Sequence, residues 1–286
     1  MLVYGFINSL ILALIALGFS ITFGISRVPN FAHGSFYVLG GMLAWLLLIK
    51  AGLPYFLAVI LAVLGVGFVG ALMYRFLLVR LRGLELSEVI STFAVGLIIL
   101  ELMRSMGVMG FEYRLPPFVR GSVNILGTYV GIQRLVIVAA GILLLILLYL
   151  FVHHTRIGLA FRGVAQDDHT AYTVGINRDR MSMLSMALGS MLVSLSAILI
   201  LPLGTISVDE GYDILLKALA VCIVGGLEST LGVLVASFFI GYAGTLTAMH
   251  VSASLTMVVP LLCMLIILLI RPSGLFGKHK EIEERI

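Results

Sequence analysis

Long unbroken apolar runs constrain this chain more than any other feature. A helix needs about 20 apolar residues to cross the hydrocarbon core of a bilayer, and runs of roughly this length recur along the sequence. Because the apolar residues are continuous and do not alternate every second position, a transmembrane barrel is excluded. Spans are predicted at residues 2–25, 31–49, 54–78, 87–106, 132–152, 181–203, 213–227, 230–249 and 253–270.

The composition indicates the same class of protein. Charged residues make up 11% of the chain, against about 25% in ordinary soluble domains. The formal charge is +4. The basic residues lie mostly at the ends of apolar runs, where orientation signals and headgroup contacts place them, so nucleic-acid binding is disfavoured. The sequence predicts an all-α, polytopic transmembrane helical bundle of about eight or nine spans, with residues 1–286 forming one domain.

The first run and the two cysteines fit this class. No Lys or Arg precedes Arg27 and no cleavage site is evident, so the first run is predicted to be a retained span and not a signal peptide. Cys222 and Cys263 lie inside apolar runs and are interpreted as small buried residues. No metal site and no cofactor is predicted.

The predicted span at 213–227 differs from the others. It carries Lys217, is short for a bilayer crossing, and ends at Gly225-Gly226. The two glycines predict a helix break, with Glu228 close to the positive start of the next helix. A lone lysine in a span either snorkels to the interface or lines a water-filled path. The position of Lys217 near a span end favours snorkelling and leaves the second interpretation open.

The distribution of basic residues predicts the orientation. Twelve of the eighteen Lys and Arg residues fall on one side of the membrane if the N-terminus is outside, as the positive-inside rule favours. With nine crossings, the tail at 272–286 is then cytoplasmic. The outer loop at 107–131 is either a solvated connector held by Pro116-Pro117 or a surface for an external partner.

A polar segment from His153 to Arg180 interrupts two apolar runs and holds seven of the 32 charged residues. Its apolar positions recur every three to four residues from Ile157 to Tyr172, which predicts a short amphipathic helix or helix pair on the cytoplasmic side. Two adjacent aspartates offer a cap for a second helix, and Gly175 can end it. We interpret the segment as a cytoplasmic coupling region; the alternative is a solvated loop.

The segment VPNFAHGSFYVLGG, residues 28–41, opens the second span. Pro29 and Asn30 break or cap a helix, and His33 with Gly34 places a polar ring and a flexible backbone point just inside the membrane. Broken helices of this kind line substrate paths in transporters. The alternative, which the residue types themselves favour, is a capped helix start with His33 bonded to a neighbouring carbonyl.

Motifs for catalysis are missing from the sequence. The segment GLFGKHK at 274–280 lacks the first glycine and the final Ser or Thr of a phosphate-binding loop. There is no HExxH, CxxC or GxSxG, and no helical pair of intramembrane carboxylates. Glu101 and Arg104 are three residues apart and are predicted to pair with each other. The chain is therefore not expected to be an enzyme, and any ATP it uses is hydrolysed by another chain.

Four motifs in this order carry a resemblance to a known family. They are NFAHG at 30–34, TRIG at 155–158 followed by Arg162 and GIN at 175–177, VGG at 224–226, and RPSGLFG at 271–277. Over essentially its full length the chain resembles the LivH-type permease subunit of branched-chain amino-acid ABC importers.

The resemblance implies a multi-pass protein of a prokaryotic plasma membrane. This chain and a second, LivM-like permease subunit would form the path, two cytoplasmic ATPase subunits would drive it, and an extracytoplasmic solute-binding protein would deliver the substrate. The sequence departs from the family pattern at Ser35, Gly163 and Glu228. The substrate therefore stays open between a branched-chain or similar small amino acid and urea, an amide or another small polar solute.

The expected site residues form two groups. The translocation path is expected to include Asn30, His33, Gly34, Lys217, Gly225 and Gly226. The ATPase contact is expected to include Thr155, Arg156, Ile157, Gly158, Phe161, Arg162, Asp167, Ala171 and Gly175. In this contact Phe161 would fill a groove on the ATPase, while Arg156 and Arg162 would set the register. In a stand-alone channel or secondary carrier, the competing class, the ion-coupling candidates would be Lys217, Glu101 and His33.

Overall fold

The structure is a computed structural model that describes residues 2–106, 114–119, 121–125 and 128–277. Its helices are α1 (Leu2–Ser26), α2 (His33–Trp45), α3 (Tyr55–Met73), α4 (Val79–Leu81), α5 (Glu85–Ser105), α6 (Ile132–His154), α7 (Arg156–Gln166), α8 (Asp168–Thr173), α9 (Arg178–Ile200), α10 (Glu210–Gly225), α11 (Thr230–His250) and α12 (Val258–Ile270). One π-helical turn, Leu46–Lys50, extends α2, and another, Tyr74–Leu78, joins α3 to α4; a 3₁₀ turn at Ala253–Leu255 precedes α12. Strands β1 (Ser122–Ile125) and β2 (Thr128–Gly131) pair antiparallel as a hairpin before α6.

Eight segments of the described chain are long and apolar enough to cross a membrane, and the prediction of an all-α polytopic bundle is confirmed. The short predicted span at 213–227 corresponds to α10, a helix of 16 residues, which is not one of the eight. Parts of the predicted loop at 107–131, including residues 107–113, and residues 278–286 of the predicted tail lie outside the described residues.

Helix α1 lies at the centre of the bundle, where α6, α9, α10 and α11 pack around it. Lipid offers no hydrophobic drive for helices to associate, so close packing through small residues takes its place. Gly18 and Gly189 mark one such crossing: a Cβ added to Gly189 would lie 2.5 Å from the Gly18 carbonyl oxygen. Helices α1 and α9 therefore approach backbone to backbone.

The two ends of the bundle carry different elements. Helix α6 begins directly after β2 and leads into α7 after His154, so the hairpin and α7 lie at opposite ends, named here the hairpin end and the α7 end. Ile25, at the end of α1, packs in a cluster with Phe161 of α7. The start of α1 is therefore at the hairpin end.

The helix break expected at Gly225-Gly226 is present. Helix α10 ends at Gly225, Gly226 has a positive φ of 102°, and the Ser229 side chain caps α11 by accepting from the Gly232 N–H. The segment after α12 docks on this break, since the N–H groups of Leu275 and Phe276 donate to the carbonyls of Val224 and Gly225. The break thus joins α10, α11 and the tail.

Candidate functional site

The chain turns back into the bundle between α1 and α2. Arg27 adopts a positive φ of 58°, and the Asn30 side-chain oxygen accepts a hydrogen bond from the Ala32 N–H at 3.0 Å. The Phe31 N–H donates to the Thr92 hydroxyl oxygen of α5 at 3.2 Å. These contacts lead the chain inward, so that α2 begins beside Ile15, close to the midpoint of α1.

His33, the first residue of α2, is fully buried. Its Nε2 lies 2.9 Å from the Ile15 carbonyl oxygen; because a carbonyl only accepts, Nε2 carries the proton in this contact. The ring also meets Phe19 edge-to-face, with centroids 5.5 Å apart. His33 therefore makes the carbonyl contact expected of a structural helix start, and neither of the cavities described next is lined by Asn30, His33 or Gly34.

Two adjoining cavities lie between helices towards the hairpin end. The larger has a volume of about 520 Å³ and the smaller about 320 Å³. They share four lining residues: Tyr4, Asn8, Tyr37 and Ile200. The larger cavity is mainly apolar, with polar groups contributed by Asn8, Lys217 and Thr245 among others, and the smaller is lined by Arg134, Thr205 and Glu210 among others.

Lys217 is the residue of the predicted path that reaches a cavity. It is half-buried on α10 and lines the larger cavity, whereas Glu210, at the start of the same helix, lines the smaller one. Gly225 and Gly226 lie at the other end of α10, where a Cβ on Gly225 would meet the Gly232 backbone at 2.5 Å. The two glycines are packed against α11 and the tail and line neither cavity.

Charged groups at the hairpin end are mostly engaged with protein partners. Arg134 donates from Nη1 to the Tyr4 hydroxyl at 2.7 Å and lies 4.3 Å from the centroid of its ring. Arg104 binds Glu101 at 3.1 Å, as predicted from their spacing, and also Asp209 at 2.5 Å. These contacts fix α5 and α6 to their neighbours.

Sequence reasoning missed most of the residues that line the cavities. Asn8 donates to the Thr245 hydroxyl at 3.1 Å across more than 200 positions of sequence, and no local spacing indicates such a contact. One local signal was present: Glu210 and Lys217 are seven residues apart, which places them on one face of a helix about two turns from each other.

At the α7 end, Thr155 starts the amphipathic helix. Its hydroxyl accepts from the Gly158 N–H at 3.0 Å and donates to the Phe151 carbonyl at 2.7 Å. One side chain thus caps α7 and ties it to the end of α6. Gly158 lies so close to α6 that an added Cβ would fall 2.2 Å from the Phe151 carbonyl oxygen.

The buried face of α7 packs within this chain. Phe161, Val164 and Ala171 form a buried cluster with Ile25, and Phe161 also meets Phe151 edge-to-face. This placement corrects the expected role of Phe161. Its ring is 3% exposed, so it attaches α7 to α1 and α6 and is not available to fill a groove on another protein.

Three large apolar residues of the region from α7 to the end of α8 are exposed. Leu159, Tyr172 and Val174 are 63%, 73% and 72% exposed. We call these three residues the exposed apolar face. Of the residues expected at the ATPase contact, Gly158, Phe161 and Ala171 are buried, whereas Thr155, Arg156, Ile157, Arg162, Asp167 and Gly175 are exposed.

Polar contacts hold the second half of this region. Asp167 caps α8, and the hydrogen bond from the Thr170 hydroxyl lowers the pKa of the Asp167 carboxyl below its usual range. Gly175 turns the chain with a φ of 85°, and Arg178 pairs with Asp168. The α7–α8 pair is therefore a shaped surface and not a solvated loop.

Replacing Thr155 by alanine is expected to loosen α7. The change removes the cap, which is worth about 1 kcal/mol, and also the bond to Phe151. Amide hydrogen exchange in α7 should then rise about fivefold, since RT is about 0.6 kcal/mol. Thr155→Ser keeps both bonds and should exchange like the parent protein; equal exchange in the two variants would contradict the capping role.

Comparisons with known proteins agree with this architecture. A family model described as branched-chain amino acid transport system / permease component matches residues 1–268. A probable branched-chain amino acid transport permease protein LivH from Methanocaldococcus jannaschii is 29% identical, over 95% of this chain and 90% of the relative. The high-affinity permease proteins LivH of Escherichia coli K12 and BraD of Pseudomonas aeruginosa are each 27% identical, over 95% of this chain and 92% and 93% of theirs.

A solved structure has a similar fold. PsaBC from Streptococcus pneumoniae in complex with Fab aligns with a TM-score of 0.54 at 13% identity, covering 96% of this chain and 92% of that one. The family match over residues 1–268 and the LivH and BraD relatives support one assignment: the chain belongs to the permease component family of branched-chain amino acid transport systems.

Proposed function

We propose that this chain is the membrane-spanning permease subunit of an ATP-driven importer for branched-chain or similar small amino acids. The observation that carries the proposal is that the two ends of the bundle differ in structure. A cavity at the hairpin end contains charged groups and apolar walls, and an apolar surface at the α7 end is left uncovered by the chain itself.

The proposal also assigns each end of the bundle to one side of the membrane. The hairpin end faces outwards, where an extracytoplasmic solute-binding protein delivers the substrate, and the α7 end faces the cytoplasm of a prokaryotic cell. The tail supports one part of this arrangement: residues 275 and 276 bind the end of α10, and the Leu227 carbonyl just beyond it accepts from Ser20 in the second half of α1. The tail and α7 then share the basic, cytoplasmic side.

The exposed apolar face is the proposed ATPase contact. Large apolar side chains at 63% to 73% exposure on a polar segment outside the spans are typical of a protein interface. The exposed arginines Arg156 and Arg162 flank this face and set its register by charge. One ATPase subunit would dock on this face, and a second would dock on a second, LivM-like permease.

Tyr172→Asp tests the coupling surface. A buried, unpaired carboxylate at an interface centre costs several kcal/mol, so the ATPase subunits should no longer co-purify and ATP-driven leucine uptake should fall at least tenfold. Tyr129→Asp is the matched control, because Tyr129 is 72% exposed at the hairpin end and Tyr172 is 73% exposed at the α7 end. The control should retain the ATPase.

Three outcomes would each contradict part of the proposal. Co-purification and uptake by Tyr172→Asp at the level of the parent protein would remove the exposed apolar face as the contact. Leucine flux into liposomes that contain this chain without ATPase subunits would indicate a channel or secondary carrier. Parallel uptake assays with urea and acetamide distinguish the substrate class, and transport of either solute in place of leucine would overturn the amino-acid assignment.

A further inference from the structure

Two opposite charges lie in the adjoining cavities without bonding to each other. In the part of the chain that the structure describes, neither Lys217 nor Glu210 has an ion-pair partner within 4.0 Å. Glu210 accepts one hydrogen bond, from the Ser207 N–H at 3.3 Å. Both side chains are half-buried, and a partly desolvated charge without a partner is costly, so the cavities favour a ligand that supplies the missing charges.

Helix geometry sets the spacing of the two groups. Seven residues raise the α-helix by about 10.5 Å and turn it by almost two full turns, so both side chains leave α10 on the same face. Side chains on a helix tilt towards its N-terminus, so Lys217 leans towards Glu210, whereas the Glu210 carboxylate turns back to the Ser207 N–H. The space between them suits a small ligand with a positive and a negative group on neighbouring atoms.

The rest of the wall selects for an apolar side chain. The larger cavity is lined mainly by apolar residues, including Ile11, Ile15, Ile200, Ile214 and Ile240. Its volume of about 520 Å³ is in the range of about 300–1,000 Å³ that is usual for small-molecule sites. Asn8 and Thr245 bond to each other at 3.1 Å and give this wall a polar edge.

We propose that Lys217 and Glu210 bind the carboxylate and the ammonium of an amino-acid zwitterion, with its side chain against the isoleucine wall. This inference rests on the proposed function and assigns the substrate contacts within it. Arg134 is not the carboxylate ligand, because its guanidinium is already held by the hydroxyl and the ring of Tyr4. Lys217 then binds substrate instead of snorkelling to the interface.

The test uses the assembled transporter in proteoliposomes, with leucine as the probe. Lys217→Met and Glu210→Gln should each lower kcat/KM for leucine uptake at least tenfold. The double variant should be little worse than either single variant, because both act through one ligand. Lys50→Met is the control: it also removes a lysine at a helix end, where the ammonium lies over the Trp45 ring at 5.6 Å, and it should transport like the parent.

A second measurement reports binding directly. Ala248, which is exposed and lines the larger cavity, is changed to cysteine in a background with Cys222→Ala and Cys263→Ala. Leucine should protect this cysteine from a maleimide reagent, whereas leucinamide, which lacks the carboxylate, and 4-methylpentanoate, which lacks the ammonium, should not. Adding Lys217→Met should remove the protection by leucine.

The outcomes separate the inference from the proposed function. If the parent assembly does not transport leucine, the proposed function fails. If the parent transports leucine and Lys217→Met keeps its uptake and protection, or if Lys50→Met loses as much, the inference alone is overturned. Equal protection by leucinamide would show that the carboxylate is not recognised, and a loss confined to Arg134→Gln would move the carboxylate contact to that residue.

Discussion

Gly34→Ala is expected to leave little folded protein in the membrane. A Cβ at this position would lie 1.8 Å from the Gly211 carbonyl oxygen and 2.8 Å from its carbonyl carbon. Both atoms are backbone, so no side chain can rotate away, and the starts of α2 and α10 must separate. Overpacking usually costs about 1–3 kcal/mol, and a clash of two backbones is expected to lie at or above the top of that range.

The consequence extends beyond stability. Helix α2 begins next to Gly34 with His33 bound to Ile15, and α10 carries Lys217 and Glu210 into the cavities. Separating the two helices would displace both charged groups. Any Gly34→Ala protein that survives is therefore expected to have lost leucine uptake as well.

Gly24→Ala provides the matched comparison. Gly24 also lies in a helix, but nothing falls within 4 Å of a Cβ added there, and alanine is favoured over glycine in a helix by about 1 kcal/mol. Thermal unfolding in detergent, followed by size-exclusion chromatography, measures the difference. If both variants give the yield and unfolding midpoint of the parent protein, the close approach of α2 and α10 is not required.

The membrane fold could be predicted from the sequence because its signal is local. A continuous apolar run is enough to indicate a span, and eight candidate spans follow the predicted ones closely. Helix α10 was the difficult segment. Its 16 residues are short for a crossing, and long-range contacts fix its place, such as the packing of Gly211 against Gly34 at one end and of Gly225 against Gly232 at the other.

The α7–α8 pair shows where a local sequence pattern stops being informative. Spacing predicted an amphipathic α7, but the segment has two apolar sets: Phe161 and Val164 are buried, and Leu159 and Tyr172 are exposed. Which set faces the chain itself depends on Ile25 and Phe151, which lie on other helices. Phe161 was therefore assigned to the partner, although it packs inside this chain.

The cavity is less predictable still, because its wall is assembled from several helices. Tyr4, Tyr37 and Ile214 line it from α1, α2 and α10, and no periodicity within one helix indicates that they meet. Lys217 could be singled out because a charge inside an apolar run is unusual. His33 was singled out as a polar ring beside the helix break at Pro29 and Asn30, yet its Nε2 bonds to the Ile15 carbonyl and it lines neither cavity. Polarity alone therefore did not distinguish a structural from a cavity-lining residue.

Gly158→Ala is expected to abolish ATP-driven transport while leaving the membrane helices folded. A Cβ on Gly158 would lie 2.2 Å from the Phe151 carbonyl oxygen and 2.4 Å from that of Val152. Helix α7 would have to move away from the end of α6, which breaks the Thr155 cap and pulls Phe161 from its cluster. Leucine uptake and substrate-stimulated ATP hydrolysis should each fall at least tenfold.

Gly163→Ala isolates this effect, since it is the same substitution in the same helix. The nearest atom to a Cβ on Gly163 is the Ile176 Cδ1 at 3.8 Å, an ordinary contact, so the variant should transport normally and gain up to about 1 kcal/mol of helix stability. The midpoint of thermal unfolding should fall less in Gly158→Ala than in Gly34→Ala. Gly158 packs at the junction of α6 and α7 and not between two membrane-embedded helices. Normal coupling in Gly158→Ala, or an equal loss in Gly163→Ala, would mean that this fixed junction does not transmit the force of ATP hydrolysis.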